Sequence, residues 1–182
     1  MTVVGEGALA EALRRVDMLS AADVAVLIPP VHARPKPFVE LEDDEFAAIW
    51  ELPMRWAIAA LQDAHRDGVA RVVIVVPTIA LTGGREYAHV AAVSEALRAT
   101  AKSAARQWGA RGMTVNTVAV SPELFGVDVE IAGPMSIAPA ALAAPGSLAT
   151  SSVVAAIAAM ITGPAQFVTG QTLVADGGTV MP

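Results

Sequence analysis

The sequence predicts an α/β fold in which a parallel sheet carries helices on both faces, and three observations lead to this prediction. Two nearly continuous β-branched runs, Asp23–Ile28 and Arg71–Val76, lack polar alternation, as strands buried on both faces do. Helical patterns rich in Ala, Leu, Glu and Arg alternate with such runs. At 182 residues and 54% hydrophobic content, the chain can bury one substantial core, so we expect residues 1–182 to form a single domain.

The elements follow in a regular order along the chain. Strands are predicted over Asp23–Ile28, Arg71–Val76, Met113–Val120 and Phe167–Val174, and helices over Gly7–Val16, Glu42–Arg66, Tyr87–Trp108 and Thr150–Ile161. A further strand at Thr2–Val4 would be only three residues long, below the usual five or six. The segment Pro134–Pro145 has three prolines and no sustained period, so we expect a loop at the carboxyl edge of the sheet.

Composition excludes several function classes. The net charge is −6, and the twelve Lys and Arg residues are scattered singly, so no basic stripe exists for nucleic acid. The chain has no cysteine, and its three histidines lack metal-ligand spacing, so no metal site is expected. Its apolar runs are too short to cross a membrane, and Glu6 and Glu11 lie where a signal peptide would be basic and then apolar. We therefore expect a cytoplasmic protein.

Three segments resemble a known family. Trp108–Pro122 is similar to the short-chain dehydrogenase/reductase segment in which a helix ends at glycine before a strand reading Val-Asn-x-Val-Ala. Phe167–Gly178 is similar to that family's closing Thr-Gly-Gln-x-x-x-x-Asp-Gly-Gly, and Pro37–Phe46 resembles the lead-in to its central helix. The resemblance covers the chain from about Asp23 onward and implies a Rossmann-like sheet.

The resemblance also implies which positions would carry catalysis. Family members transfer a hydride between a nicotinamide cofactor and a carbinol or carbonyl, using a Tyr, a Lys, a Ser and an Asn. The positions of this chain that match those four hold Val90, Ser94, Pro77 and Pro53. None of these side chains can act as the acid or base of a proton transfer at neutral pH. The expected catalytic set is therefore absent.

Neighbouring residues offer only a fallback set. Tyr87, the sole tyrosine, lies one helical turn before the family position, but Ala91 follows four residues later, where the family has its lysine. Thr78 could supply a hydroxyl next to Pro77. We expect Tyr87 to have a structural role at a helix start or an interface, and His89 to be a surface or interface residue.

On the cofactor side, the resemblance implies a glycine-rich turn followed by two further strand and helix pairs before Asp23. The residues available there cannot hold that half-domain, so we expect the fold to be truncated at its N-terminal nucleotide-binding half. Gly5, Gly7 and Ala10 do fit a loose Gly-x-Gly-x-x-Ala pattern between a strand and a helix. No cofactor is expected, and NAD or NADP would bind only if this loop served as a dinucleotide site.

Three functions remain open. The resemblance favours a non-catalytic subunit that stabilises or completes an oligomer with an active, full-length short-chain dehydrogenase, as a homo- or hetero-oligomer. One alternative is an NAD(P)-dependent oxidoreductase built on Tyr87, Thr78 and the Gly5–Ala10 loop. The other is a binding module for a small molecule, such as an acyl thioester, beneath Pro134–Pro145. For assembly, the alanine-rich helix Tyr87–Trp108 is the expected contact.

Overall fold

The computed structural model describes residues 2–15, 23–134, 150–161 and 167–181. Its centre is a parallel sheet whose strand order follows chain order, β1-β2-β3-β4-β5. The strands are β1 Thr2–Val4, β2 Val24–Leu27, β3 Arg71–Pro77, β4 Thr114–Val120 and β5 Thr172–Ala175. The helices are α1 Ala8–Arg14, α2 Leu52–Arg66, α3 Ile79–Thr82, α4 Ala88–Trp108, α5 Val129–Ala132 and α6 Thr150–Ile161. The predicted α/β fold class is confirmed.

Helices cover both faces of the sheet because alternate residues of each strand point to opposite sides. On one face, α1 and α6 pack on the β2 residues Val24 and Val26 through side chains such as Leu13 and Ile157. On the other face, α2 and α4 pack on Ala25, Leu27, Val72, Ile74 and Val76. All residues of β2 are buried, and so are all residues of β3 after Arg71, which explains why these two sequences lack polar alternation.

The predicted helix Glu42–Arg66 is divided in the structure. A 3-10 turn spans Asp43–Glu45 and a π-helical turn spans Ala47–Glu51, so the regular helix α2 begins only at Leu52. Pro53 occupies the first turn of α2, where its missing N–H and fixed φ are tolerated. A proline at this point cannot continue a regular hydrogen-bond ladder from the preceding turn, which gives a physical reason for the break.

The predicted strand Phe167–Val174 is also shorter than expected. Only Thr172–Ala175 is a strand, because Gly170 has a left-handed φ of 69° that interrupts the extended backbone. The Asn116 side chain of β4 fastens this stretch by donating to the Val168 carbonyl at 2.8 Å and accepting from the Gln171 N–H at 3.0 Å. The conspicuous Asn of the Val-Asn-x-Val segment is thus a structural clamp.

The first predicted helix, Gly7–Val16, is observed as Ala8–Arg14. The predicted loop Pro134–Pro145 lies outside the described residues beyond Pro134. No helix in the described ranges is long and apolar enough to cross a membrane. Those ranges also contain no group of three His, Asp or Glu side chains placed to hold a metal ion.

Candidate functional site

Tyr87 immediately precedes α4 and is completely buried. Its ring packs in an apolar cluster with Ile79, Val90, Val127 and Ala132, which joins α3, α4 and α5. The backbone N–H of Asp128 donates to Tyr87 Oη at 3.0 Å. The phenol therefore anchors the loop after β4 to the start of α4, and its hydroxyl already has a partner inside the protein.

The family catalytic positions lie around this anchor. Pro77 ends β3, while Val90 and Ser94 are on the inner side of α4 with no exposed surface. The Ser94 hydroxyl has no hydrogen-bond partner. A proton carrier needs a titratable or hydroxyl group within reach of substrate. Pro77 and Val90 have no such group, and Ser94 is shut inside the core.

Thr78, the other fallback residue, has a different environment. It is also fully buried, and its backbone N–H donates to the Val120 carbonyl at 2.8 Å. Its Oγ1, however, has no hydrogen-bond partner. Thr78 lines a cleft of about 430 Å³ at the carboxyl edge of the sheet, where parallel α/β folds bind ligands. Thr78 is thus part of the lining of the cleft, whereas Tyr87 is enclosed in the apolar cluster.

The cleft is formed by residues that follow three neighbouring strands. Besides Thr78 after β3, its walls are Ser121, Pro122, Glu123, Val129, Glu130, Gly133, Pro134, Asp176 and Thr179. Asp176 is buried, and its carboxylate accepts the backbone N–H groups of Gly178, Thr179 and Val180. The Asp of the closing Asp-Gly-Gly motif is therefore held in place by the turn that it stabilises. Glu123 and Glu130 are exposed.

Gly5 and Gly7 lie in the turn between β1 and α1, as the pattern required, whereas Ala10 is inside α1. Gly5 has a φ of 133° and lies so close to β2 that a Cβ would be 2.4 Å from the Ile28 carbonyl oxygen. Ala10 is fully buried in the core. The Arg14 guanidinium donates to the Gly5 carbonyl at 2.5 Å. Packing between β1 and β2 thus accounts for the glycine at position 5.

These residues do not fit a dinucleotide. The exposed Glu6 carboxylate lies in the turn where a pyrophosphate would approach, and α1 has only seven residues. Strand β2 is followed by Ile28-Pro29-Pro30, with no acidic side chain to bind a ribose. The carboxyl-edge cleft is also lined by Glu123, Glu130 and Asp176, whose carboxylates disfavour an anionic ligand there.

His89 lies inside the subunit, whereas we expected a surface or interface position. It is 7% exposed and lines a polar pocket of about 620 Å³ with His32, Arg34, Lys36, Asp44 and Glu45, among others. Burial lowers the pKa of His89, and its Nδ1 has no hydrogen-bond partner. The Lys36 ammonium donates to Glu45 and lowers the pKa of that carboxyl.

Sequence reasoning missed most of the cleft. Ser121, Glu123 and Thr179 were not singled out, because each is an ordinary polar residue in a turn. The available signal was positional: Thr78, Ser121 and Asp176 each follow the end of a predicted strand, and the carboxyl ends of parallel strands meet at one edge.

Comparison with known proteins places the chain among oxidoreductase folds. The family profile described as enoyl-(acyl carrier protein) reductase matches residues 7–180. A protein described as a dehydrogenase, from Burkholderia cenocepacia with bound NADP, is 21% identical, with a TM-score of 0.70. Acetoin dehydrogenase from Enterobacter cloacae is 23% identical, with a TM-score of 0.64. A mutant short-chain dehydrogenase/reductase from Serratia marcescens is 24% identical, with a TM-score of 0.68.

The chain is short beside these proteins. The matches cover 88% of this chain and 63% of the Burkholderia protein, 85% and 63% for the Enterobacter protein, and 94% and 72% for the Serratia protein. No curated protein matches the sequence.

Proposed function

The chain belongs to the short-chain dehydrogenase/reductase family, and from that premise we propose that it is a non-catalytic subunit that stabilises or completes an oligomer with an active family member. One observation carries the proposal. The sole tyrosine is buried with its hydroxyl bonded to the Asp128 N–H, while the family positions for Tyr and Lys hold the buried Val90 and Ser94. The positions that would perform proton transfer instead contribute to the core.

The outer face of α4 supports an assembly role. Ala92 and Ala99 are exposed and seven residues apart, about two helical turns, so they lie on the same side of the helix. Small side chains there allow another helix to approach closely. Exposed Phe38 and Phe46 add apolar surface, and Phe38, Phe46, Ala88 and Ala92 border the same small groove.

The β5 end of the sheet supports the same proposal. Among the described residues, strand β5 pairs with β4 alone, so its outer edge has unpaired backbone groups there. Phe167 is 90% exposed and Met181 is 70% exposed, and Leu173 on β5 is partly exposed as well. Exposed apolar side chains beside an open strand edge favour association.

An activity assay tests the non-catalytic part. We expect the isolated chain to oxidise no common alcohol with NAD or NADP and to reduce no common ketone with NADH or NADPH, measured by nicotinamide absorbance. We also expect NADH or NADPH to leave the melting temperature unchanged, whereas a ligand at a hundred times its Kd would add about 2.7 kcal/mol. If the wild-type chain shows turnover and Tyr87→Phe abolishes it, the result would instead favour the alternative of an NAD(P)-dependent oxidoreductase that uses Tyr87.

Light scattering after size exclusion tests the assembly part. We expect an oligomer, either of this chain alone or after mixing with a full-length family member, that Ala92→Arg disrupts because a guanidinium cannot fit a close helix contact. Ala110→Arg is the matched control, since Ala110 is exposed in the turn beyond α4. A chain that stays monomeric at high concentration and binds no full-length relative from its host would overturn the proposal.

A second candidate function is small-molecule binding in the carboxyl-edge cleft. The specific observation that favours it is that Thr78 is among the residues lining the cleft and that its buried hydroxyl lacks a partner. Buried hydroxyls without a partner are rare because desolvation is costly. Mass spectrometry of ligand co-purified with the protein tests this candidate, and an acyl thioester is one expected class.

A further inference from the structure

The outer edge of β1 is one of the two places where another strand could extend the sheet. Among the described residues, β1 pairs with β2 alone. The Val4 carbonyl faces β2, because it accepts the Ile28 N–H at 2.8 Å. Backbone groups alternate in direction along a strand, so the carbonyls of Val3 and Gly5 point away from β2. These are the acceptors that an added strand would use.

Arg14 occupies both of these outward carbonyls. Its Nη2 donates to the Gly5 carbonyl oxygen at 2.5 Å and makes a longer contact, 3.4 Å, with the Val3 carbonyl oxygen. One guanidinium therefore bridges the two acceptors and brings a positive charge to the strand edge. Charged side chains at an edge are one means by which proteins prevent edge-to-edge pairing.

The packing of α1 holds Arg14 in this position. Strand β1 has three residues and α1 has seven, and each spans about 10 Å, so α1 can return along the full length of the strand. Leu13, the neighbour of Arg14, is buried in the core together with Leu9 and Ala10. The backbone at the end of α1 is thus fixed by buried side chains, whereas the Arg14 side chain is at the surface.

The two outer strands of the sheet differ in this respect. Val3 packs against the core on one face of the sheet and Val4 on the other, so β1 is apolar on both faces. An apolar edge strand without a charge readily pairs with a further strand. At β5, by contrast, Arg98 donates to the Thr172 hydroxyl at 3.1 Å, which is a side-chain group, and Phe167 is exposed nearby in the chain.

We propose that Arg14 closes the outer edge of β1 against strand addition, so that the sheet can be extended only at β5. A sheet open at both edges could add copies head to tail, with β5 of one copy on β1 of the next. Such a heterologous contact does not close on itself and leads to open filaments. With β1 closed, association through strand edges stops at a pair of β5 edges. The inference does not depend on the contact proposed for α4.

Light scattering after size exclusion of the variant Arg14→Met tests the proposal. Methionine keeps an apolar stem and removes the guanidinium. We expect an average mass about twofold or more above that of the wild type, rising with protein concentration. Arg15→Met is the matched control, because Arg15 is the next residue, has the same charge and lies 4.0 Å from the Glu11 carboxylate. We expect the control to have the wild-type mass.

Amide hydrogen exchange, followed by NMR, locates the new contact. The Val3 N–H points away from β2, as the Val3 carbonyl does, so an added strand would protect it. We expect this amide to exchange rapidly in the wild type at every protein concentration. In Arg14→Met, its exchange should slow by about tenfold or more as the concentration rises. Circular dichroism verifies that each variant is folded.

Two results would overturn the proposal. The first is a folded Arg14→Met protein that keeps the wild-type mass and an unprotected Val3 amide at high concentration. The second is protection of that amide in the concentrated wild type, because the edge would then be open with Arg14 in place. If Arg14→Met does not fold, Arg14→Gln gives the same comparison, since its shorter neutral side chain also removes the guanidinium. A monomeric wild type that binds no relative would overturn the assembly role proposed above, and the Arg14 variants would still decide this inference.

Discussion

Two hydroxyl-bearing side chains, Tyr87 and Thr78, occupy neighbouring regions of the molecule, and both are fully buried. Tyr87 lies in a closed apolar cluster, and its hydroxyl accepts the Asp128 N–H. Thr78 lines an open cleft, and its hydroxyl has no partner. Burial alone therefore does not separate a structural residue from a candidate binding residue. The state of the hydrogen bond and the presence of a cleft separate them.

The largest effect should come from Tyr87. We expect Tyr87→Ala to lower the free energy of unfolding by about 3–5 kcal/mol, as removal of a buried aromatic ring does. Tyr87→Phe keeps the ring and leaves the Asp128 N–H without its acceptor, so it should cost about 1–3 kcal/mol. Urea unfolding measures both. A Tyr87→Phe protein as stable as the wild type would contradict a structural role for the Tyr87 hydroxyl. Tyr87 and Thr78 would then not differ in what their hydroxyls contribute to stability.

His89 provides an intermediate case, a buried group that titrates. Burial lowers its pKa in the folded state, so the unfolded chain takes up a proton first as the pH falls. We expect stability to be fully present above about pH 6.5, the ordinary histidine value, and to decline below it. His89→Gln should flatten this decline, as measured by urea unfolding at several pH values between pH 5 and pH 8. The nearby His32 and Glu45 stay in place in this variant. Parallel pH profiles for both proteins would contradict the expectation.

The smallest effect should come from Thr78 in the absence of ligand. Thr78→Val keeps the side-chain shape and removes a hydroxyl that contributes no hydrogen bond. We expect the free energy of unfolding to change by less than about 1 kcal/mol, with any change toward greater stability. A loss of 2 kcal/mol or more in thermal or urea unfolding would show that the hydroxyl is satisfied inside the protein, and Thr78 would then resemble Tyr87.

The sequence was sufficient for the sheet and its helices because uninterrupted apolar strands and 3.6-residue periods reflect burial directly. It failed where a single residue changes the backbone. The helix expected from Glu42 starts at Leu52 as α2, after 3-10 and π turns that precede Pro53, and the strand expected from Phe167 starts after the left-handed Gly170. Local pattern cannot show that the Asn116 side chain holds that stretch.

The candidate site was predictable only in part. Tyr87 and Thr78 could be named from their spacing, but nothing in the sequence says that one hydroxyl meets the Asp128 N–H and the other meets none. The two residues Tyr87 and Asp128 are forty-one positions apart.

The strand order has a consequence for how the chain folds. Because strand order follows chain order, all four crossovers step in one direction. The β2–β3 and β3–β4 crossovers pass through α2 and α4 on one face of the sheet, and the β1–β2 and β4–β5 crossovers pass through α1 and α6 on the other. The two inner crossovers therefore have the opposite handedness to the two outer ones. Only between β2 and β4 do two consecutive crossovers share one handedness, and the β3–β4 ladder in this unit is the longest of the sheet. We expect this unit to form first, with its amides the slowest in native-state hydrogen exchange, and β1 and β5 to add last.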